Sequence, residues 1–131
     1  MPVPGTYIAG NPCFEFGVAG NSSITHLLLQ VDTFGDYEVL LLPNVAKNVS
    51  HRELIGYSAI RLLDGRHIFP IWGEVDLMIP GINGPTTCDL GIFRVFNVAG
   101  HAPRIHGFIG SQFLENFNVE LGYRSIVANL T

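Results

Sequence analysis

Short apolar runs separated by turn residues make up most of this chain. Phe14, Phe16 and Val18 alternate with a charged residue and a glycine, which predicts a strand with one buried face. Fifteen glycines and eight prolines separate such runs along the whole chain, a pattern typical of all-β domains. Further strands are predicted for residues 24–31, 39–42, 58–63, 66–71, 74–79, 92–98, 105–109, 119–121 and 125–130.

Two local patterns add detail to these strands. Asp64-Gly65 stands between two strand-like runs and is among the strongest hairpin signals that a sequence can carry. Leu40, Leu41 and Leu42 follow one another without alternation. This run predicts a strand that is buried on both of its faces.

Capping residues indicate where the chain can form helical turns. Ser50 and Glu53 have the spacing of a capping box, which predicts one or two helical turns at most, ending at Gly56. Ser111 can cap a second short helix over residues 112–117. The whole pattern predicts an all-β fold, a small closed β-barrel-like domain with one short C-terminal helix.

Length and composition predict one domain that meets another chain. The 131 residues fit a single domain spanning residues 1–131. Charged residues make up 14% of the chain and apolar residues 47%, against a usual charged share of about 25%. Because so few charges would leave apolar surface uncovered in a monomer, we expect part of the surface to be buried by a partner.

Charge and hydropathy argue against two classes of partner. The net charge of −4 and the absence of a basic run argue against nucleic acid. No stretch approaches the ~20 apolar residues of a membrane span. The first residues lack the basic and apolar regions of a signal peptide, so we expect a cytoplasmic protein.

The cysteines and histidines show no spacing that is typical of a metal site. Cys13 and Cys88 form no recognisable motif, and we predict two buried thiols rather than a disulfide. The histidines are predicted to be structural or solvent-facing, and we expect neither a metal nor a cofactor. They are His26, His51, His67, His101 and His106.

Residues 27–43 carry the most informative chemistry of the chain. An apolar strand ends at Asp32, and Thr33, Phe34 and Gly35 form a tight turn before the next apolar run. An aspartate in this position can cap the turn by accepting hydrogen bonds from its own backbone. Alternatively, a partly apolar loop can shift the pKa of the carboxyl far enough for general acid or base catalysis.

Three pieces of the chain, taken in order, resemble the retroviral-type, retropepsin-like aspartic peptidases. The first is FEFGVAGNSSITHLLLQVDT over residues 14–33, a strand, a glycine-containing turn and a strand that ends in Asp-Thr. The second is the hairpin with Leu63, Asp64 and Gly65 at its tip, where the family has its flap. The third is FIGSQFLENFNVEL over residues 108–121, where the family has two apolar residues, a glycine and a short helix. The resemblance spans residues 14–130.

This resemblance implies an aspartic endopeptidase that acts as a homodimer on a peptide or protein substrate. Each chain would give one aspartate to a dyad that shares a proton, so that one carboxyl acts as base towards water and the other as acid towards the peptide carbonyl. A two-fold axis would pass through the site. The interface would be built from residues 125–130 and from the loops around Asp32.

The resemblance also assigns roles to individual residues. Asp32 matches the catalytic aspartate, Thr33 the threonine that links the two loops of the dimer, and Asp36 an aspartate that binds the substrate main chain. Gly110 matches the glycine that packs beside the active-site loop. The tip of the flap, which contacts substrate, corresponds to Leu63, Asp64 and Gly65.

One position departs from the family motif. The family has Asp-Thr-Gly or Asp-Ser-Gly, whereas Phe34 occupies the third position here and Gly35 the fourth. Glycine serves where another backbone approaches closely, so a phenylalanine there reshapes the loop or inactivates the site. Three hypotheses follow. The first is an active endopeptidase, the second an inactive retropepsin-like domain for dimerisation or peptide binding, and the third an unrelated small β-barrel that binds a ligand.

Overall fold

The computed structural model describes residues 2–94, 104–121 and 126–130, and this part of the chain is mostly β-strand. The strands are β1 (Pro2–Ile8), β2 (Asn11–Val18), β3 (His26–Val31), β4 (Val39–Leu41), β5 (Arg52–Glu53), β6 (Ile60–Arg61), β7 (His67–Ile68), β8 (Ile71–Met78), β9 (Thr86–Ile92), β10 (Gly107–Ile109), β11 (Phe117–Leu121) and β12 (Ile126–Leu130). Two short helices, α1 (Pro43–Ala46) and α2 (Ser111–Leu114), accompany them. The prediction of an all-β fold with a short C-terminal helix is confirmed.

Six strands close into a ring. The large sheet has the order β11-β12-β1-β2-β3-β10-β4-β9-β8-β5, and an additional pairing joins β2 to β8. This pairing sets Gly17 opposite Met78 and Val18 opposite Leu77. The ring therefore runs β2-β3-β10-β4-β9-β8, while β1, β12 and β11 extend from one edge and β5 lies beside β8.

The strand β10 lies between β3 and β4 and separates two strands that are neighbours in sequence. Phe108 is opposite Gln30 in the parallel pair with β3 and opposite Leu40 in the antiparallel pair with β4. Gly107 fits here because a Cβ at this position would collide with the Leu40 carbonyl oxygen. The loop between β3 and β4, which contains Asp32, is therefore held at the end of β10.

The core fills the inside of this ring. Leu40, Leu41 and Leu42 are all buried, as their unbroken run predicted. Successive side chains of β4 point to opposite faces and all are buried, so both faces are covered, while β10 and β9 pair with its two edges. Phe16 and Phe113 meet at 5.4 Å between ring centroids, which packs α2 against β2.

The hairpin predicted at Asp64-Gly65 is confirmed. β6 and β7 pair antiparallel, with Ile60 opposite Ile68. The turn is closed by the Leu62 N–H, which donates to the carbonyl of Arg66 at 2.8 Å. Gly65 has φ +88°, a left-handed conformation that glycine adopts without strain.

The helix predicted from the capping box is wrong. Arg52 and Glu53 form β5 instead, and the Arg52 guanidinium reaches Glu74 at 3.4 Å and Asp76 at 3.1 Å on β8. These cross-strand partners outweigh a local helical preference that is worth only fractions of a kcal/mol per residue. A helical turn forms earlier, at α1, where Pro43 occupies the first position.

Besides β5, two further strands were not predicted. β1 contains two prolines and a glycine and carries little strand propensity of its own, so its pairing with β2 and β12 holds it in the sheet. β9 ends at Ile92, where the predicted strand 92–98 was expected to begin. Residues 95–98 of that prediction lie outside the described residues.

β12 is paired on both sides within its own chain. Its neighbours are β11 and β1, with Asn129 opposite Asn118 and Pro2. The sequence assigned residues 125–130 to a dimer interface, and residue 125 lies outside the described residues. Both backbone edges of β12 are therefore occupied within the chain.

The two cysteines are free and buried, as predicted. Burial raises the pKa of the Cys13 thiol to about 11 and that of Cys88 to about 12. Neither is therefore a thiolate at neutral pH. Within the described ranges, no helix is long and apolar enough to cross a bilayer.

Candidate functional site

Asp32 lies at the end of β3 and is completely buried, with 0% of its surface exposed. Its backbone N–H donates to the carbonyl of Ile109 at 2.8 Å, which ties the start of the loop to β10. A buried carboxyl is costly unless its oxygens accept hydrogen bonds. The partners of these two oxygens therefore decide what Asp32 does here.

Both carboxyl oxygens of Asp32 are occupied by donors from the same loop. Oδ1 accepts the backbone N–H groups of Phe34 at 3.1 Å and Gly35 at 3.0 Å. Oδ2 accepts the hydroxyl of Tyr37 at 2.7 Å. This is the arrangement that the turn-capping interpretation expects, and it leaves Asp32 no surface for water in this conformation.

Tyr37 is the partner that the sequence analysis missed. Its side chain is buried, and this burial is the main cause that raises the pKa of its phenol. The negative charge of Asp32 and the hydrogen bond between the two side chains raise that pKa further. The phenol is therefore protonated and serves as the donor. Nothing in the local sequence marks this residue, because its contact with Asp32 depends on how the loop is folded.

Two glycines allow the loop to close so tightly. A Cβ at Gly35 would collide with the Tyr37 ring and would lie 2.6 Å from Oδ2 of Asp32. A Cβ at Gly110 would collide with the Tyr37 carbonyl and would lie 2.8 Å from that of Gly35. Gly110 thus packs beside the loop, at the position that the resemblance assigned to it.

The start of α2 fastens the same loop from the other side. Ser111 donates to the carbonyl of Gly35 through its backbone N–H and its hydroxyl, each at 2.8 Å. The N–H of Gln112 donates to the carbonyl of Tyr37 at 3.2 Å. The first turn of this helix therefore uses the loop carbonyls as acceptors for N–H groups that a helix start leaves unpaired.

The outer residues of the loop face solvent and the hairpin. Thr33 is exposed, and Phe34 has 65% of its surface exposed. Phe34 accepts the Nε–H of Arg61 on its carbonyl at 2.8 Å, while Asp36 Oδ1 accepts the Arg61 N–H at 2.6 Å. Asp36 therefore joins the loop to β6, a role that the resemblance did not suggest.

A groove of about 490 Å³ begins at Asp36 and runs along the segment before the hairpin. Its lining is formed by Trp72, by residues 54–56 and 58–60, and by Asp89 and Gln112. Leu63, Asp64 and Gly65 do not line this groove. The Asp64 carboxylate instead pairs with Arg66 at 2.8 Å, within the turn itself.

The segment from Leu54 to Ala59 presents apolar side chains to solvent. Ile55 is 87% exposed and Tyr57 83% exposed. Its backbone is anchored by Trp72, whose indole N–H donates to the carbonyl of Ser58 at 3.0 Å and whose carbonyl accepts the Leu54 N–H at 2.8 Å. The sequence placed Leu54 and Ile55 in a helix that ends at Gly56 and residues 58–63 in a strand, so this exposed apolar segment was not predicted.

The structure therefore gathers most of the predicted site residues at one end of β3 and β10. Asp32, Thr33, Phe34, Gly35, Asp36 and Gly110 lie in or against one loop, whereas the hairpin tip stands apart from the groove. No group of three or more histidine, cysteine or acidic side chains among the described residues could hold a metal ion.

Comparison of the chain with protein-family models, with curated proteins and with solved structures gave no match. The retropepsin-like resemblance therefore rests on the three sequence segments alone.

Proposed function

We propose that this chain is a peptide-binding domain with a retropepsin-like arrangement, in which an extended peptide lies along the groove beside residues 54–60. The observation that carries the proposal is a run of unpaired backbone at the groove. Within the described part of the chain, the Ser58 carbonyl is the one backbone group of residues 55–59 that accepts or donates a hydrogen bond. An extended peptide can pair with such a run as an added strand.

The state of Asp32 favours binding over hydrolysis. A shared-proton dyad requires the carboxyl to approach a second carboxyl and a water molecule. Here the carboxyl is buried and accepts three hydrogen bonds from its own loop. The simplest role for Asp32 in this arrangement is to hold the loop that forms the start of the groove.

A binding experiment tests this proposal. Trp72 is the single tryptophan of the chain and lines the groove, so its fluorescence reports on occupancy. A library of short unstructured peptides should contain members that shift its emission and bind saturably. Ile55→Asp should weaken them at least tenfold, whereas Phe69→Asp, at an exposed apolar residue outside the groove lining, should leave affinity unchanged. Equal effects of the two variants, or a library without binders, would remove the proposal.

The second candidate is the homodimeric aspartic endopeptidase, and one specific observation favours it. Asp32 and Thr33 directly follow β3, which lies beside β10, and Gly110 packs on their loop. Catalysis would need the Tyr37 hydroxyl to leave Oδ2 and a second Asp32 to take its place. This candidate therefore predicts a conformation and a dimer that differ from the state described above.

Cleavage of an unfolded protein between roughly pH 3 and 7 separates the candidates. Activity that is lost in Asp32→Asn, in a protein that sediments as a dimer, would establish the peptidase. Exchanging residues 34 and 35 is a poor probe, because a side chain at Gly35 would collide with Tyr37 and Asp32. Phe34→Gly alone restores the family residue without that collision.

A further inference from the structure

The groove beside residues 54–60 has both apolar and acidic residues in its lining. Trp72, Leu54 and Ile55 supply apolar side chains. Asp36 and Asp89 supply carboxylates, and both residues are exposed. No lysine, arginine or histidine is among the described residues that line the groove.

Neither of these two aspartates is neutralised by a described side chain. Asp36 and Asp89 take part in none of the ion pairs formed among the described residues. Arg61 lies close to Asp36, yet it donates its backbone N–H to that carboxylate and its Nε–H to the Phe34 carbonyl. The negative charge at the groove is therefore open to a ligand.

A third acidic residue, Glu38, contacts Asp89 without lining the groove. Glu38 is half-buried, and its Oε1 accepts the N–H of Asp89 at 3.3 Å. The pKa of Glu38 is raised, mainly by burial and also by the negative charge of Asp89. The crowding of Glu38 and Asp89 indicates a local excess of negative charge, which a bound cation would relieve.

We infer that the groove selects extended peptides that carry a lysine or arginine two residues from an aliphatic or aromatic side chain. This inference rests on the proposed peptide-binding function. In an extended peptide, residues two apart point to the same face. The apolar side chain would contact Trp72, while the cation would lie between Asp36 and Asp89. The free run of backbone at residues 55–59 would pair with the peptide main chain.

Three matched peptides test the inference, each with an apolar residue, a threonine and a variable third residue. With lysine at the third position, we expect affinity roughly fivefold higher than with glutamine, the gain that one or two exposed ion pairs can give. Glutamate should bind more weakly than glutamine. The lysine preference should fall when salt is raised, since exposed charges are screened.

The matched variants are Asp36→Asn with Asp89→Asn, and Asp64→Asn as a control. The oxygen of an asparagine side chain at position 36 can still accept the Arg61 N–H, so the fold is kept while the charge is removed. The double variant should bind lysine and glutamine peptides equally, and the control should keep the wild-type preference. If the wild type binds all three peptides equally, the charge inference fails and peptide binding stands. If no peptide binds, both fail.

Discussion

The hydroxyl oxygen of Tyr37 lies 2.7 Å from Oδ2 of Asp32, and both residues are buried. This contact makes Asp32 part of a closed unit with its own loop. It also separates two otherwise similar interpretations of an Asp-Thr motif at the end of a strand. A catalytic aspartate must keep an oxygen free for water, whereas a turn-capping aspartate satisfies both oxygens locally.

Tyr37→Phe should lower the free energy of unfolding by about 2 kcal/mol. The variant leaves one carboxyl oxygen of Asp32 buried without a donor, and hydrogen bonds to charged groups are worth about 1.5–3 kcal/mol. Urea unfolding measures the change. Tyr57→Phe is the control, because Tyr57 is 83% exposed and should lose almost nothing. Equal stabilities of the two variants would contradict the role of the contact, and new proteolytic activity in Tyr37→Phe would favour the peptidase.

The two simplest replacements of Asp32 should differ strongly in stability. Asparagine can accept the N–H groups of Phe34 and Gly35 through its oxygen and can donate to Tyr37, so Asp32→Asn should cost within about 1 kcal/mol. Asp32→Ala leaves the Phe34 N–H and the Tyr37 hydroxyl without an acceptor, and leaves the Gly35 N–H only its 3.3 Å contact with the backbone carbonyl of residue 32, which should cost roughly 3–4 kcal/mol. Thermal and urea unfolding compare the two. An alanine variant with the wild-type free energy of unfolding would show that the loop does not depend on this carboxyl.

Gly110→Ala should destabilise the fold by about 1–3 kcal/mol, the usual cost of overpacking. The added methyl group would meet the carbonyl oxygens of Tyr37 and Gly35, which are backbone atoms and cannot rotate away. Gly17→Ala is the matched control, since its nearest neighbour is a side-chain carbon of Met78 at 3.3 Å. The measurement is the urea midpoint. A smaller loss in Gly110→Ala than in Gly17→Ala would contradict the packing described for the loop.

His106 should make stability fall at acidic pH. Its Nδ1 accepts the Leu28 N–H at 2.8 Å, and burial lowers its pKa below the ordinary value of 6.5, against a smaller opposing effect of Glu15. Because the unfolded chain binds a proton more readily, the stabilisation is complete above about pH 6.5 and is lost as pH falls through the folded-state pKa. His106→Asn can accept the same N–H without titrating.

Unfolding free energies measured between pH 7.5 and 5 test this expectation. The decline towards low pH should be shallower in His106→Asn than in the wild type. His67→Asn, at an exposed position on β7, should follow the wild-type curve. Parallel curves for His106→Asn and the wild type would show that another group causes the decline.

The parts of the fold that could be predicted are those that short segments determine. The hairpin at Asp64-Gly65 follows from turn chemistry, since Gly65 supplies the positive φ at its tip. The burial of Leu40 and its neighbours follows from an unbroken apolar run. Both features depend on a few adjacent residues, and the structure has both.

The incorrect helix shows where local reasoning stops. Ser50 and Glu53 have the spacing of a capping box, yet Arg52 pairs with Glu74 and Asp76 on a strand about twenty residues later. Such pairings are set by the sheet and carry no local signal. The same holds for β1, whose prolines argue against a strand and whose place is fixed by its neighbours.

The candidate site was only half visible in the sequence. Turn capping by Asp32 was foreseeable, because aspartates commonly bond the backbone two or three residues ahead. The hydrogen bond from Tyr37 and those from Arg61 could not be foreseen, because they depend on the contacts of the loop with α2 and with the hairpin. Leu54 and Ile55 were recognised as apolar but were assigned to a helix that does not form.

The insertion of β10 between β3 and β4 has a consequence for how this protein is made. During synthesis, β3 and β4 are made long before Gly107. The backbone edges that later pair with β10 therefore have no partner while most of the domain is translated. Non-local pairing of this kind slows folding and exposes strand edges to other chains. A fragment that ends before β10 would therefore aggregate and would not bind peptide. Peptide binding that returns after refolding would report that β10 has taken its place in the sheet.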